Sequence, residues 1–397
     1  MKIMIVGAGQ TGLITAHRLL QRGADVTIAT SMSSVELRTA RAQMTQLTLP
    51  STLVTERELR LDMWASLVPF YQTVRLTTHT QQGHTLSFTG DLGAAGAAID
   101  PRVKLPDWLE YFEDQGGKVV IHGITVSDLA YFTRMFDGIL VTVGSGELGQ
   151  LFPADPSRPL AAEDQVVSQV YMVDWPAGDT DVEVYSLPQG EIYVIPTLTA
   201  YGPAHSILVT ARPGDDNPLD LTTIPPRQRD VHTYLGSRLA TVLPDLAERY
   251  AQAELLDERA ALCEAVTPVV RTPVARVGDG FVVGLGDALV TTEPRTGQGW
   301  NLSTRAGVFT ADRMVEHYER YGGFSEAFFT DTFSVLWEQH IQHTAAFSHM
   351  VHAVHSGNLP PELMQAMARA GTDTEFANAW VRGFDDPRQL TAMLSLL

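Results

Sequence analysis

The first 150 residues alternate short apolar runs with segments of helical spacing. Lys2–Val6 and Ala24–Thr30 are apolar runs of strand length, and Leu13–Leu20 between them repeats its apolar residues at helical intervals. A strand, a helix and a second strand in this order predict a β-α-β unit with a parallel sheet. Phe136–Gly146 predicts a further buried strand of that sheet, and a helix is expected over Leu53–Leu67.

The pattern changes at about residue 165. Four runs there alternate apolar and polar residues between turn residues, which predicts an antiparallel sheet with one face in solvent. These runs are Val170–Trp175, Val182–Leu187, Ile192–Leu198 and His205–Ala211. Helical spacing returns over Pro225–Tyr250 and through most of Thr304–Leu397, with a new helix starting at Leu359-Pro360-Pro361.

The turn between the first strand and the first helix reads Gly-x-Gly-x-x-Gly. Gly7 suits the tight turn, Gly9 the close approach of backbone to a pyrophosphate, and Gly12 the close packing of helix on strand. The helix N-terminus adds free N–H groups and a partial positive charge. The position of the motif between a strand and a helix favours a bound dinucleotide over the alternative, a simple tight turn.

The second strand lacks the acidic residue that usually ends it in such units. It ends in Thr30 and Ser31, and the next carboxylate is Glu36. A hydroxyl or a backbone group can still bind the ribose, but without a charge-assisted hydrogen bond the binding is expected to be weaker. This argues against a tight NAD dehydrogenase and fits a cofactor that dissociates readily.

A second cofactor signal lies near residue 290. Phe281–Gly286 is an apolar run that delivers Asp287 to a glycine-rich turn, Glu293–Asn301, and helical spacing follows over Leu302–Tyr321. Asp287 suits a ribityl hydroxyl, and the amides of Gly297–Asn301 suit the flavin pyrimidine edge, where charge gathers on reduction. A strand–turn–helix with an N-cap Asp is the alternative for this stretch alone. Paired with the N-terminal glycines, the stretch predicts FAD.

These residues carry a resemblance to a known family. The sequence resembles the FAD-dependent monooxygenases of the p-hydroxybenzoate hydroxylase fold over nearly its whole length. Within them it is similar to the oxygenase component of the two-component styrene and indole monooxygenases. The stretches that carry the resemblance are Gly7–Gly12, Thr55–Asp62, Gly90-Asp91-Leu92, Asp100, Arg102, Glu191–Leu198, Gly284–Asn301 and Leu359-Pro360-Pro361-Glu362.

The resemblance and the patterning together predict an α/β fold. A Rossmann-like FAD/NAD(P)-binding lobe is discontinuous over residues 1–164 and 270–320, an antiparallel-sheet substrate lobe covers 165–269, and a helical C-terminus covers 321–397. The resemblance further implies that a separate NADH-dependent flavin reductase supplies reduced FAD, which reacts with O2 to give a flavin C4a-hydroperoxide. That species epoxidises or hydroxylates a small, apolar, electron-rich substrate, either a styrene-like alkene or an indole-like aromatic.

The residues themselves favour a separate reductase. Self-contained hydroxylases of this fold carry Asp-Gly-x-x-Ser-x-x-Arg, whereas Asp137-Gly138 is followed by Ile139-Leu140-Val141-Thr142, with no Ser or Arg in place. We therefore expect that NAD(P)H does not reduce the flavin directly. A self-contained NAD(P)H-dependent aromatic hydroxylase is one alternative, and a non-enzymatic escort protein of the flavin fold is another. A halogenase is disfavoured because its early catalytic Lys and its Trp-x-Trp-x-Ile-Pro stretch are missing.

The candidate site residues follow from the two cofactor signals and the resemblance. Those expected at the flavin face or in the substrate pocket, with no side-chain nucleophile and no metal, are Gln46, Pro294 and Trp300. Those expected to bind FAD are Gly7, Gly9, Gln10, Thr11, Gly12, Thr30, Ser31, Arg41, Arg102, Ile124, Gly144, Asp287, Pro294, Gly297, Gln298, Gly299, Trp300 and Asn301. Packing behind the FAD is an alternative for Trp300, and an ion pair with Asp100 is an alternative for Arg102.

The substrate pocket is expected between the flavin and the antiparallel sheet. Its candidate walls are Arg41–Ser51, Thr73–Leu76, Gly93–Ala98, Pro196–Tyr201 and Trp300. The positions that match neither the styrene-type nor the indole-type pattern are Thr48, Pro50, Thr73, Leu76 and Gly96. These departures leave the class of chemistry intact and the substrate open.

Composition limits the partners and the compartment. The 397-residue chain is 44% hydrophobic and carries a net charge of −18, which argues against nucleic acid or an anionic membrane as partner. One cysteine, Cys263, excludes internal disulfides and Cys-rich metal sites, so a cytoplasmic protein is expected, with a homodimer as one option for its assembly. No apolar run has the length of a signal peptide or a membrane span. Histidines expected to serve in packing or at the surface, and not in metal binding, are His340, His343, His349, His352 and His355.

Overall fold

The computed structural model describes residues 1–80, 83–158, 160, 164–176, 181–355 and 360–394. Leu359, which belongs to a predicted helix start and to one stretch of the resemblance, lies outside these residues. The helix predicted there begins at Pro361. Within the described ranges, no helix is both long and apolar enough to cross a membrane.

The described residues form sixteen strands and fourteen α-helices. The strands are β1 (Lys2–Val6), β2 (Asp25–Thr30), β3 (Tyr71–His79), β4 (Thr85–Gly96), β5 (Lys118–Ile121), β6 (Gly138–Val141), β7 (Gln165–Val173), β8 (Val182–Leu187), β9 (Gly190–Thr199), β10 (Gly202–Ala211), β11 (Glu254–Leu255), β12 (Ala261–Val266), β13 (Val269–Val270), β14 (Val274–Val277), β15 (Gly280–Gly284) and β16 (Val290–Thr291). The α-helices are α1 (Gln10–Gln21), α2 (Ser34–Arg38), α3 (Pro50–Glu58), α4 (Pro101–Asp114), α5 (Val126–Phe132), α6 (Gly146–Gly149), α7 (Val231–Val242), α8 (Pro244–Tyr250), α9 (Gly299–Tyr321), α10 (Glu326–Leu336), α11 (Gln342–His355), α12 (Pro361–Ala370), α13 (Thr374–Asp385) and α14 (Pro387–Leu394).

The first sheet contains the predicted β-α-β unit. Its strand order is β14-β15-β6-β1-β2-β5, parallel from β15 to β5, with β14 added antiparallel at one edge. Ile3 and Ile5 of β1 pack in one core cluster and Met4 and Val6 in another, so both faces of the sheet are buried. Burial on both faces explains the continuous apolar runs. Together with the second sheet and the helical C-terminus, this confirms the predicted fold class.

The second sheet has a different membership from the one predicted. Its order is β11-β7-β10-β9-β8-β3-β4, with β12 also pairing with β7. Strands β3 and β4 come from the range 1–164, and β3 pairs in parallel with β8. The predicted boundary at residue 164 therefore does not separate the two sheets, and the sheet is mixed rather than purely antiparallel. Pairing between distant strands is a tertiary event that local alternation does not specify.

The prediction that one face of this sheet is in solvent is wrong. Every residue of β9 is buried, and so is every residue of β7 except Val173. Leu235 of α7 and Leu246 of α8 belong to the cluster on one side of the sheet. Helices α11, α12 and α13 contribute Phe347, Met367, Trp380 and their neighbours on the other side. Helices from distant parts of the chain therefore cover both faces.

Two predicted helices end earlier or break. The helix expected over Leu53–Leu67 is α3, Pro50–Glu58, and it stops where Arg60 has a left-handed φ of 58°. The helical region Pro225–Tyr250 divides into α7 and α8 at Pro244, because proline has no N–H to continue the ladder.

A buried ion pair joins three helices beneath the first sheet. Lys104 Nζ of α4 donates to Glu56 Oε1 of α3 over 2.7 Å, and both side chains are 1% exposed. Trp300 of α9 donates from Nε1 to the same oxygen over 3.3 Å, and its ring centroid lies 4.7 Å from Nζ. Burial raises the pKa of Glu56 and lowers the pKa of Lys104, and the opposite charge of each partner counteracts both shifts.

Replacing Lys104 with Met should lower the free energy of unfolding by about 3–5 kcal/mol, because Glu56 is left as an uncompensated buried charge. Urea denaturation at neutral pH measures this effect. The double variant Lys104→Met with Glu56→Met removes both charges and should recover most of the loss. A double variant no more stable than the single one would assign the effect to packing instead of charge.

Candidate cofactor and substrate site

Two helix N-termini face one large cavity. Helix α1 starts after Gly9 and α9 after Gln298, and neither N-cap residue makes a side-chain cap hydrogen bond. Residues from both starts, among them Gly9 and Gly299, line a cavity of about 550 Å³. Free N–H groups and the positive end of a helix favour anionic ligand groups. The volume is in the range of cofactor sites.

The cavity brings together a large part of the predicted site. The predicted residues in its wall are Gly9, Gln10, Thr11, Gln46, Asp287, Pro294, Gly297, Gly299 and Trp300. They come from the start and from the last third of the chain. Two distant strand–turn–helix segments therefore meet at the carboxyl edge of the parallel sheet, where open α/β sheets bind ligands.

The three N-terminal glycines have different surroundings. Gly7 has a φ of +115°, and a Cβ there would lie 2.5 Å from Thr142 Oγ1. A Cβ on Gly12 would lie 2.1 Å from the carbonyl oxygen of Gly7, so the helix packs directly on the turn. A Cβ on Gly9 would meet nothing within 4 Å, because this residue borders the cavity.

Gln10 presents an unused acceptor at the start of α1. Its Nε2 donates to Thr304 Oγ1 over 2.6 Å, which fixes the orientation of the amide against α9. The buried Oε1 has no hydrogen-bond partner among the described residues. Buried acceptors are rarely left unpaired. A hydroxyl-rich ligand such as the ribityl chain of FAD fits this donor requirement.

Asp287 projects from the turn after β15 into the same wall. It lies in the 3-10 turn Gly286–Ala288, and its side chain is exposed to the cavity. The surrounding protein excludes much of the solvent and so raises the pKa of Asp287, while the positive charge of Arg271 acts in the opposite direction. Glu264 shares the cavity, and its pKa is raised by desolvation and by the charge of Asp287. The carboxylate is placed to accept from ligand hydroxyls.

The glycine-rich turn is fixed by Asn301. Its Nδ2 donates to the Leu47 carbonyl over 2.9 Å, and its Oδ1 accepts from the Leu49 N–H over 3.0 Å. Asn301 is fully buried and is not part of the cavity wall. Gly297 precedes it in the left-handed region at φ 62°. The side chain of Asn301 therefore connects the start of α9 to the loop that carries Gln46.

The polar edge of Trp300 points away from the cavity. Trp300 lines the cavity but is only 6% exposed, and its Nε1 donates to Glu56. Its ring lies 6.2 Å from that of Trp108. These contacts favour the packing alternative for Trp300 over a direct contact with substrate.

Several predicted cofactor residues lie outside the wall of the large cavity. These residues are Gly7, Gly12, Thr30, Ser31, Arg41, Arg102, Ile124, Gly144, Gln298 and Asn301. Arg102 forms the alternative ion pair with Asp100, with Nη2 2.7 Å from Oδ2. Gly144 packs against the other cofactor turn, because a Cβ there would lie 2.5 Å from the Asp287 carbonyl oxygen. Thr30 Oγ1 donates to the Met32 carbonyl at the end of β2.

A second, smaller cavity adjoins the first. It has a volume of about 80 Å³ and lies between the second sheet and helices α11 to α13. Leu47, Tyr193 and Gly297 line both cavities, so the two meet at the glycine-rich turn. Most of its wall is apolar, with Val74 and Val184 on the sheet side.

The walls of the small cavity agree in part with the predicted substrate pocket. The loop Arg41–Ser51 contributes Leu47 and Leu49, and Thr73–Leu76 contributes Val74 and Leu76. Gly93–Ala98 and Pro196–Tyr201 line neither cavity. The C-terminal helices supply wall residues that the sequence analysis missed, which are Phe347, Met350, Val351, Leu363, Met367, Trp380 and Phe384. Their helical spacing showed a buried face but not what it covers.

The sequence analysis also missed a polar cluster at one end of the small cavity. The hydroxyl oxygen of Tyr193 lies 2.7 Å from Glu191 Oε2 and 2.5 Å from the carbonyl oxygen of Arg295. His355 Nε2 lies 3.2 Å from Glu191 Oε1. Glu191 and Tyr193 are two positions apart on β9 and therefore face the same side. The two-residue spacing of Glu191 and Tyr193 in a predicted strand was the sequence signal that could have indicated a shared face.

The C-terminal histidines do not gather around a possible metal position. Among the residues that the structure describes, no group of three or more His, Cys, Asp or Glu side chains could hold a metal ion. His355 instead contacts Glu191 and the Leu187 carbonyl. His340 is partly buried, and desolvation lowers its pKa to about 4.

The fold is that of flavin-dependent enzymes. Flavin-dependent brominase Bmp2 superimposes with a TM-score of 0.68 and 14% identity, over 100% of this chain and 99% of that chain. The p-nitrophenol 4-monooxygenase PnpA from Pseudomonas putida DLL-E4 gives a TM-score of 0.64 and 15% identity, over 97% of each chain. These likenesses concern the fold alone.

The sequence comparison is more specific. Residues 144–249 match the family model described as "Styrene monooxygenase A putative substrate binding domain". Styrene monooxygenase StyA of Pseudomonas fluorescens is 26% identical over 331 residues, which are 80% of this chain and 78% of that protein. The resemblance stated from the sequence is confirmed, and it supports a flavin-dependent monooxygenase with FAD as its cofactor.

Gly9→Ala should leave the flavin-free fold as stable as the wild type but weaken FAD binding at least tenfold. The backbone φ of −81° suits alanine, and the added methyl projects into the open space beside the α1 N-terminus. Thermal denaturation and fluorescence titration with FAD measure the two effects. Gly12→Ala is the matched variant and should destabilise the fold itself. Unchanged FAD affinity of Gly9→Ala would place the pyrophosphate elsewhere.

Asp287→Ala should weaken FAD binding by about 1.5–3 kcal/mol, roughly ten- to a hundredfold, because a charged hydrogen bond is lost. The raised pKa of Asp287 adds a pH dependence, because a neutral carboxyl is a weaker acceptor than a carboxylate. As the pH is lowered, the FAD affinity of the wild type should begin to fall at a higher pH than it would with an Asp of ordinary pKa. Titration calorimetry with FAD over a pH series measures both the loss of affinity in the variant and the pH dependence of the wild type.

Glu264→Gln removes the other carboxylate of the cavity and is the control for Asp287→Ala. It should leave FAD affinity equal or higher, because it removes a negative charge from the cavity expected to bind the anionic cofactor. If both variants bind FAD equally well, Asp287 is not the ribityl acceptor.

Proposed function

We propose that this protein is the oxygenase component of a two-component flavoprotein monooxygenase. It takes reduced FAD from a separate NADH-dependent flavin reductase and uses O2 to epoxidise or hydroxylate a small, electron-rich, apolar substrate. The first candidates are styrene-like alkenes and indole-like aromatics. The observation that carries the proposal is the contact of a cofactor-sized cavity with a small apolar cavity at the glycine-rich turn.

The residues of the large cavity would bind three parts of FAD, which are the pyrophosphate, the ribityl chain and the flavin ring. The N-terminus of α1 would bind the pyrophosphate through Gly9 and its neighbours. Asp287 and Gln10 Oε1 would accept from the ribityl hydroxyls, and the backbone amides of Gly297 and Gly299 would meet the pyrimidine edge of the ring. When bound, reduced FAD supplies the activation of O2 and the transfer of one oxygen atom.

The protein would contribute to this chemistry by orienting the reactants and by excluding water. Apolar side chains such as Val74, Met350 and Trp380 in the small cavity exclude water and accept an apolar substrate. The shared residues Leu47 and Gly297 bring that substrate to the edge of the cofactor cavity. Holding both reactants in one orientation replaces a bimolecular encounter in water. A side-chain nucleophile is not required.

Strand β6 supports the dependence on a partner reductase. In self-contained hydroxylases of this fold, the stretch after Asp-Gly carries a Ser and an Arg that serve both FAD and NADPH. Here Gly138–Val141 is a central strand of the parallel sheet, and its Ile139, Leu140 and Val141 are buried in the core. Val141 and Gly144 stand where that pattern has its Ser and its Arg.

Product should form from styrene or indole only when NADH, FAD and an added flavin reductase are all present. Chromatographic detection of styrene oxide or of indole-derived pigment measures this result. NADH without the reductase is the decisive control. Product in that control would make the self-contained hydroxylase the better assignment, and no product together with no binding of anaerobically reduced FAD would favour the escort protein.

A further inference from the structure

Gln298 has its backbone in the glycine-rich turn, and its side chain reaches Phe384, another residue in the wall of the small cavity. The residue is the N-cap of α9, and it lines the small cavity but not the large one. The side chain is 1% exposed, and its Nε2 donates to the Phe384 carbonyl over 2.8 Å. Because a carbonyl oxygen only accepts, this bond fixes which end of the amide is nitrogen.

The other end of the amide is the acceptor oxygen, Oε1. Gln298 Oε1 is buried and has no hydrogen-bond partner in the part of the chain that the structure describes. A buried acceptor without a donor is costly, and protein interiors rarely keep one. The backbone of α13 holds Nε2 in place, so the amide cannot rotate to relieve Oε1 without losing its bond to Phe384.

Several other polar side chains of the same wall already have hydrogen-bond partners. Glu191 and Tyr193 contact each other, and Ser186 Oγ lies 3.4 Å from His355 Nε2. Arg295 Nε donates to Glu293 over 3.0 Å. Among the described residues of this wall, Gln298 is the one whose buried side chain keeps a polar atom, Oε1, without a hydrogen-bond partner.

The rest of the wall suits an aromatic ring. Tyr71, Phe347 and Trp380 supply aromatic surface, and Met350 and Met367 supply flexible side chains that can adjust to the ligand. The volume of about 80 Å³ is below the roughly 150 Å³ of an engineered cavity that binds benzene, so adjustment of the methionines is expected even for one ring.

We propose that Gln298 determines substrate specificity by accepting, at Oε1, a hydrogen bond from one N–H or O–H group on a small aromatic substrate. This inference rests on the proposed function and narrows its substrate class to aromatics with a single donor. Pure hydrocarbons leave Oε1 unpaired, so the site discriminates against them. Gly297, the neighbouring residue, lines both cavities, so a substrate anchored at Gln298 lies beside the cofactor turn.

Indole and indene are a matched pair of probes, because they differ chiefly in N–H against CH2. Titration calorimetry with the FAD-loaded, oxidised protein should give an affinity for indole about fivefold to tenfold above that for indene. The pair 3-vinylphenol and 3-methylstyrene repeats the comparison with an O–H donor on a single ring. Equal affinities within both pairs overturn the proposal.

Gln298→Met keeps the length of the side chain and removes the acceptor. Its affinity for indole should fall to that for indene, while affinity for indene stays the same or rises. Met350→Leu, in the same wall, is the control and should shift both affinities together without changing their ratio. A ratio in Gln298→Met equal to that of the wild type contradicts the role of Gln298. Where Gln298→Met does not fold, the wild-type pairs decide alone.

The readout separates this inference from the proposed function. Binding is measured without reductase or turnover, so donor preference can be found in a protein that oxygenates nothing. A donor preference in binding, found together with no oxygenation of any substrate, would support the role of Gln298. The missing oxygenation would count against the proposed function. Oxygenation of styrene and indole with no donor preference in binding would support the proposed function and contradict the role of Gln298.

Discussion

The ion pair between Lys104 and Glu56 is the interaction on which the cofactor site depends. It joins α3 and α4 and receives the indole N–H of Trp300 in the first turn of α9. Two charges removed from water are stable only when each is paired and hydrogen-bonded. Thr48 Oγ1 also lies within 3.3 Å of Lys104 Nζ, so the loop before α3 joins the same network. The network thereby fixes where α9 begins.

The start of α9 then serves two cavities at once. Gly299 and Trp300 line the large cavity, and Gln298 lines the small, apolar one. Asn301 holds the loop with Leu47 against this turn through two hydrogen bonds. One short segment therefore borders both cavities. Under the proposed function, this arrangement would let the cofactor and an apolar substrate meet away from bulk water.

The parts of the site that the sequence predicted are local. The glycines after β1 and Asp287 after β15 each belong to one strand–turn–helix segment, where spacing and residue type specify the turn. The residues that were missed depend on distant contacts. Met350 and Trp380 show only that their helices have an apolar face, and that face covers the sheet because of strand order and helix packing. The prediction that one face of the second sheet lies in solvent was wrong for the same reason, since distant helices cover that face of β9.

The sequence by itself determined the β-α-β unit, the glycine turn, the second cofactor turn and the fold class, because backbone geometry and apolar periodicity act over short stretches. Only the tertiary structure decided that β3 and β4 join the second sheet and that Trp300 turns its N–H towards Glu56. It alone also showed that no described residue donates a hydrogen bond to Gln298 Oε1. Those facts depend on which surfaces meet across hundreds of residues. Burial and hydrogen-bond pairing are properties of the packed chain, and no local pattern encodes them.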